Sequence, residues 1–181
     1  MKKLQPDFEL ERYGLRVRLV REEDAEFIVK VRTDSQNARY LGHTDNDVAK
    51  QVTWLKEYKK REAEAKEYYF IFFKNEIPIV LCRLYNIDWM HLTYTSGSWV
   101  SVPGSDYEAV MTCSVIVDEI ALEMLNLIVC YYDVRKDNKQ VINFHRTIMR
   151  AYQYGETELY YLFLSTPETR KNSRLKKLLG L

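Results

Sequence analysis

Few side chains in this 181-residue sequence carry obvious chemistry, and their spacing narrows it further. His43, His91 and His145 are scattered, and no cluster of His, Cys, Asp or Glu has metal-ligand spacing, so no metal is expected. Cys82, Cys113 and Cys130 form no CxxC pair and lie in apolar runs, where a thiol behaves as a small hydrophobe. Their odd number, and an opening MKKLQPDFELERYG with no apolar segment behind its lysines, point to a reducing cytoplasm. There is no GxSxG elbow and no glycine-rich phosphate loop ending in Lys-Ser/Thr. His145 can give or take a proton near neutral pH, but a lone His is usually structural, a helix residue hydrogen-bonding at a wall. Asp88, in NIDWMH, offers a carboxylate as a base, against the plainer role of a turn residue in an Asn/Asp-rich loop.

The composition sets the frame for these groups. Lys plus Arg total 27 and Asp plus Glu 26, leaving a formal charge of +1. That balance argues against a nucleic-acid partner and against a polybasic membrane binder. A hydrophobic fraction of 46% and a charged fraction of 29% describe a folded globular chain. Domains usually run to roughly 100–200 residues, so one domain over 1–181 is expected. Its core spans about 13–165, and a basic amphipathic helix occupies about 167–179. The longest apolar stretch, 110–130, is broken by Asp118, Glu119 and Glu123, so it reads as a buried helix followed by a strand rather than a membrane span. The 14 tyrosines suit a half-wet cleft as well as a core.

Periodicity gives the elements. Residues 13–20 alternate as a strand, and Ala25, Ile28 and Val31 follow at helical spacing. Thr44 stands three residues before Asp47, a capping-box spacing that opens a second helix with the stripe Val48, Val52, Leu55 and Tyr58. Strands 67–74 and 78–85 form a hairpin, and 93–102 is a further strand. Ser105 and Glu108 repeat the capping-box spacing before a helix running to about Leu125, apolar on nearly every face. The strand 125–134 lacks alternation, as expected when both faces are covered. Asn138 caps a last large helix striped by Val141, Phe144, Ile148 and Tyr152, and 158–165 is the closing strand. Paired tyrosines in strands, such as Tyr68 and Tyr69, place one ring on each face. The expected fold is α/β: a mixed, twisted sheet of about six to seven strands, with helices on both faces.

This order and two stretches resemble the GNAT acetyltransferases, nearest the branch of ribosomal-protein N-terminal and nucleotide-amino-sugar acetyltransferases. The stronger stretch runs Val134-Arg135-Lys136-Asp137-Asn138-Lys139, then Val141-Ile142-Asn143-Phe144-His145. It is similar to the family signature that ends its fifth strand and enters the next helix. The other is the entry LRVRLVREEDAEFIVKVR, and GSWVSVP before a helix completes the match.

The resemblance implies acetyl-CoA as co-substrate, lying in a gap between splayed central strands. The pantetheine arm would pair with Ser98, Trp99, Val100 and Ser101 as an added strand. The pyrophosphate would sit on the following helix start, at Gly104, Ser105, Asp106, Tyr107, Glu108 and Ala109, where free N–H groups favour anions. Asn138 and Phe144 would complete the cofactor wall, and His145 would protonate the departing thiolate. Candidate bases for the amine are Asp88, Tyr85, Asp34 and His91. The family loop reads (Q/R)-x-x-G-x-(G/A), whereas here Tyr107 stands at the first glycine, flanked by Asp106 and Glu108. A Tyr does not let bare backbone approach phosphate as Gly does. Three outcomes stay open: a rebuilt loop that still binds CoA, a weakened enzyme, or a relative that no longer binds it. The implied activity is N-acetylation of a primary amine on a small molecule, such as a nucleotide-linked amino sugar. The alternatives are acetylation of a protein N-terminus and a degenerate relative that binds a ligand or partner without catalysis. The branch often dimerises, so a homodimer is one expected assembly.

Overall fold

The computed structural model describes residues 2–181, and all its strands join in one sheet. Strands β1 (Glu9–Arg12) and β2 (Leu15–Leu19) turn about Tyr13 and Gly14, with φ of 54° and 72°. Two residues with positive φ make the turn whose twist suits a hairpin. The strand expected over 13–20 therefore starts two residues later, and its first positions are the turn. Strands β3 (Tyr68–Lys74) and β4 (Ile77–Asp88) join through Asn75 and Glu76 in the same way, at φ of 49° and 62°. β5 (Thr93–Ser101) runs antiparallel to β4. β6 (Val129–Arg135), β7 (Tyr152–Glu156) and β8 (Tyr160–Ser165) complete the sheet in the order β1-β2-β3-β4-β5-β6-β8-β7.

The sheet thus has eight strands, above the expected six to seven. β1 is one addition and β7 the other. The last large helix is shorter than its stripe suggests. It comprises α5 in the chain's helix order (Lys139–Asn143) and a π-helical turn, Phe144–Ile148. Arg150 then adopts φ 56° and the chain reverses, so Tyr152 opens β7 instead of closing the helical stripe.

Helices cover both faces. α1 (Ala25–Thr33), the short α2 (Ser35–Ala38) and α3 (Val48–Ala63) precede β3. α4 (Tyr107–Glu119) continues into a π-helical turn, Ile120–Met124. β3 is buried throughout because its alternate residues serve two cores. Tyr68, Phe70 and Phe72 join Cys113 and Ile116 of α4, while Tyr69, Ile71 and Phe73 join Ile28 of α1 and Leu55 and Tyr58 of α3. The helix caps differ from the spacing argument. Asp47, not Thr44, caps α3 by accepting from Lys50 N, and Asp106, not Ser105, caps α4. Asp24 fixes the entry to α1 by accepting two hydrogen bonds from the buried Arg18 guanidinium, at 2.7 and 2.8 Å, and one from Arg21 N.

The basic tail is two short helices, α6 (Pro167–Asn172) and α7 (Leu175–Leu179). It is not a merely solvated face. Leu175 is buried with Val115 and Met149, and Lys176 pairs with Glu119 at 2.6 Å. Arg170 reaches inward, donating to Tyr94 Oη at 3.1 Å and to the Ile128 carbonyl at 2.5 Å, with Asp118 at 3.6 Å.

Candidate active site

The sheet has one parallel junction, and it is short. β5 meets β6 only at Thr93 with Val129, Tyr94 with Cys130 and Thr95 with Tyr131. Beyond these pairs the strands part. Residues 96–101 keep β4 on one side and, among the described residues, have no strand on the other. Residues 132–135 keep only β8. The gap is a cavity of about 720 Å³. Buried backbone N–H and C=O groups need partners, so an extended edge opening on a cleft is a template for an extended, amide-bearing ligand.

Local sequence shapes this edge. Ser98 has φ 52°, and the β4–β5 register slips between Leu81 and Arg83, which marks a bulge. A bulge re-aims backbone and side chains, here towards the gap. At Gly97 an added Cβ would meet Tyr85 Oη at 2.7 Å, so only glycine lets the Tyr85 ring lie against the strand. Asn37 Nδ2 donates to the Ser101 carbonyl at 3.1 Å and to the Val31 carbonyl at 3.0 Å. This ties the loop after α1 to the end of the open edge, and Arg39 and Tyr40 of that loop also line the cavity.

The cavity gathers most of the residues expected from sequence. Ser98, Trp99, Val100 and Ser101 line it from β5, and Gly104, Ser105 and Tyr107 from the start of α4. Asn138, Phe144 and His145 line the opposite wall. Asn138 accepts from Val141 N at 3.3 Å, the N-cap role its position suggested. Asp106, Glu108 and Ala109 do not line the cavity. Ala109 is buried in the core beneath α4. Asp106 spends its carboxylate on the helix start, accepting from Glu108 N at 3.2 Å, and pairs with Lys74 at 2.5 Å. The bond to Lys74 lowers the Asp106 pKa, so it is an anion on the helix end where a phosphate was expected.

Asp88 lies away from the cavity, at the outer end of β4. It accepts from Met90 N and His91 N at 2.8 and 3.0 Å and pairs with the His91 ring at 2.7 Å. Those bonds, the His91 side chain first, hold its pKa below the usual carboxylate value. It is the turn residue of its loop, and a low pKa makes it a poor base. Asp34 caps α2 through Gln36 N.

Three groups on the cavity wall have unusual acidities. His145 lies among aromatic rings, 4.5 Å from Tyr132, 5.1 Å from Phe144 and 5.7 Å from Phe163 between centroids. Its Nδ1 is sealed from water and has no hydrogen-bond partner, although the residue as a whole is half-buried. Desolvation lowers its pKa to about 4, so the ring is neutral at neutral pH. Asp133, on β6, is an exposed residue of the cavity wall; partial desolvation there raises its pKa, and its charge helps to raise that of Tyr85. Asp118, at the back of the gap, is also raised by burial, with Arg170 opposing the shift. The sequence reading missed Asp133. Its signal was a carboxylate directly after Tyr131 and Tyr132 in a strand without alternation.

Among the described residues no group of three or more His, Cys, Asp or Glu is placed to hold a metal ion. The cysteines are buried, and desolvation raises all three thiols. No helix among the described residues is long and apolar enough to cross a membrane.

No family model and no curated protein matches the sequence. Solved structures do match. FdhC, a nucleotide-linked sugar GNAT, superposes with a TM-score of 0.83 at 27% identity, covering 96% of this chain and 98% of its own. A ribosomal-protein alanine acetyltransferase from Vibrio fischeri gives 0.74 at 11% identity, covering 88% and 97%. A spermidine N-acetyltransferase from Vibrio cholerae in complex with CoA and spermine gives 0.71 at 16%, covering 89% and 100%. With near-complete coverage in both directions and 27% of aligned residues identical to FdhC, the chain has the fold of the GNAT acetyltransferases.

Proposed function

We propose that the chain transfers an acetyl group from acetyl-CoA to a primary amine of a small molecule, with a nucleotide-linked amino sugar as acceptor class. The observation that carries this reading is the open β5 edge over 96–101, facing a cavity of about 720 Å³. Its backbone can pair with the amides of a pantetheine arm as an added strand. Arg39, on the cavity wall, supplies positive charge for phosphates where the helix start does not; Arg135, also on the wall, is paired with Asp137 at 3.0 Å. The likeness to FdhC supports the acceptor class, and its identity exceeds that to the ribosomal-protein and polyamine enzymes.

The residues divide the work as follows. An ammonium has no lone pair, so a base must first take its proton. Asp133 is suited to this, because its raised pKa makes it a stronger base than an ordinary carboxylate. The free amine forms the new C–N bond at the thioester carbonyl, and a backbone N–H at the Ser98 bulge steadies the oxyanion. The C–S bond then breaks, and the second amine proton passes to the departing thiolate as the amide forms, while the proton held by Asp133 is released to solvent. His145, neutral, donates a hydrogen bond to the departing thiolate. It does not serve as a charged acid, since its imidazolium is not populated at neutral pH. The products are the amide, the thiol of CoA and one released proton.

A second reading has its own observation. Asp106 and Lys74 already occupy the end of α4, as expected of a relative that binds something other than CoA. Thermal shift separates the two. Ligand at 100 times its dissociation constant stabilises a native state by about 2.7 kcal/mol. A shift with acetyl-CoA and CoA but not with a control nucleotide, followed by turnover on an amino-sugar nucleotide, is the expected result. No shift at millimolar acetyl-CoA would overturn the proposal in favour of a non-catalytic binder.

A further inference from the structure

A second cavity, of about 350 Å³, lies between α1, the loop before α3, the first turns of α3 and the sheet. Its inner wall holds two buried polar atoms without partners, Tyr69 Oη and Arg83 Nε. Tyr69 is fully buried on β3, and its Oη has no hydrogen-bond partner. Arg83, on β4, has a buried Nε that is also without a partner. Arg32, from the last turn of α1, donates to Thr44 Oγ1 at 2.8 Å and lies near the Gly42 carbonyl at 3.5 Å. Those are neutral partners, and Arg32 has no ion pair among the described residues. A buried donor left without an acceptor is costly, and natural structures keep few of them.

The guanidinium of Arg83 is held in place. It bonds Glu67 and lies 5.0 Å from the Trp54 ring and 5.9 Å from the Tyr69 ring. Glu67 also takes Arg61 at 2.9 Å, so one carboxylate serves two guanidiniums. The acidic groups of the cavity lie at its mouth and are engaged. Asp45 pairs with His43 and Lys50, both at 3.0 Å, and Asp47 accepts from Lys50 N. Burial pushes the Tyr69 phenol up to about 12, with the charges of Arg32 and Arg83 opposing, which sets both guanidiniums close to it.

We propose that this cavity binds an oxyanion, the carboxylate or phosphate group of a small ligand, against Tyr69 Oη, Arg83 Nε and the free face of Arg32. An oxyanion supplies the acceptor lone pairs that Tyr69 Oη and Arg83 Nε lack and the negative charge that Arg32 lacks, and a guanidinium fork matches its geometry. Trp54 and Ile28 wall the remaining space with apolar surface, as small-ligand sites commonly do. The site does not depend on acetyl transfer. It shares only Arg32 with the central gap.

The test follows the arginine Nε–H signals of the full chain by ¹⁵N NMR, with Arg83 assigned through Arg83→Lys. One arm titrates inorganic phosphate and the other malonate, each against chloride at equal ionic strength. Saturable shifts of the Arg83 and Arg32 signals are expected in at least one arm, and the arm that saturates identifies the oxyanion. Tyr69→Phe and Arg32→Gln, both folded by circular dichroism, should weaken that binding at least fivefold. Thermal shift with the same anion should fall in parallel. Shifts that match chloride, or variants that titrate like the parent, would overturn the assignment.

Discussion

Replacing His145 by Phe should flatten part of the stability profile between neutral and acid pH. The ring's pKa is about 4 in the folded chain against an ordinary 6.5. The unfolded chain therefore takes up a proton as pH falls below 6.5, and the folded chain resists until about 4. The neutral ring thus contributes stability that is fully present above 6.5 and is lost as pH drops through that window. A gap of about 2.5 pK units, at about 1.4 kcal/mol each, amounts to about 3 kcal/mol by pH 4. In a chain of this size about 1 kcal/mol moves Tm by about 2–4 °C, so the effect is about 6–12 °C. Tm is measured from pH 7 to pH 4 in the wild type and in His145→Phe, so that the two curves differ only by His145. The wild-type curve should fall more steeply by that amount. Parallel curves, or an NMR titration of His145 with a midpoint near 6.5, would refute the reasoning. They would also restore a charged imidazolium as proton donor, which the proposed chemistry excludes.

The base assignment predicts that Asp133→Asn lowers turnover about 100-fold at pH 7 while leaving CoA binding unchanged, measured by a thiol-release assay. In the wild type, kcat/KM should fall as pH drops through the raised Asp133 pKa, since protonation removes the base. Asp106→Asn should lower the Kd for CoA by calorimetry, most at low salt, because it removes the anion seated on the α4 end and frees Lys74; unchanged or weaker binding would show that phosphate sits elsewhere. Asp24→Ala should destabilise the fold by about 3–5 kcal/mol in urea, because it leaves the Arg18 guanidinium buried without its carboxylate.

The sequence made the central layer legible because burial there is written twice. In β3 every position from Tyr68 to Phe73 is apolar or aromatic, and both cores use them. The Asn138–His145 stretch likewise placed Asn138, Phe144 and His145 on the cavity wall. What escaped notice was decided by backbone geometry or by distance. Tyr13-Gly14 looked like strand because Tyr continues the aromatic pattern, yet a two-residue turn with Gly second was the available hairpin signal. Tyr152 fits a helical stripe and also a period-two strand, Tyr152 and Tyr154; only the left-handed Arg150 decides between them. Asp88 was judged by its neighbours in sequence, whereas the cavity lies along the far half of β5. Arg83, Tyr69 and Arg32 come from three separate elements, and no spacing along the chain announces their meeting.

Because only three residue pairs join β5 to β6, the sheet is mechanically two plates meeting at a short seam. Arg170 fastens that seam from outside it. Its one guanidinium reaches Tyr94 on the first plate, the carbonyl of Ile128 at the root of the second, and Asp118 on the helix behind both. The angle between the plates is therefore braced by a residue of the tail, outside the strands that form the notch. Loosening that one rivet turns a fixed wedge into a hinge, and the opening into which a substrate must fit becomes a variable instead of a constant.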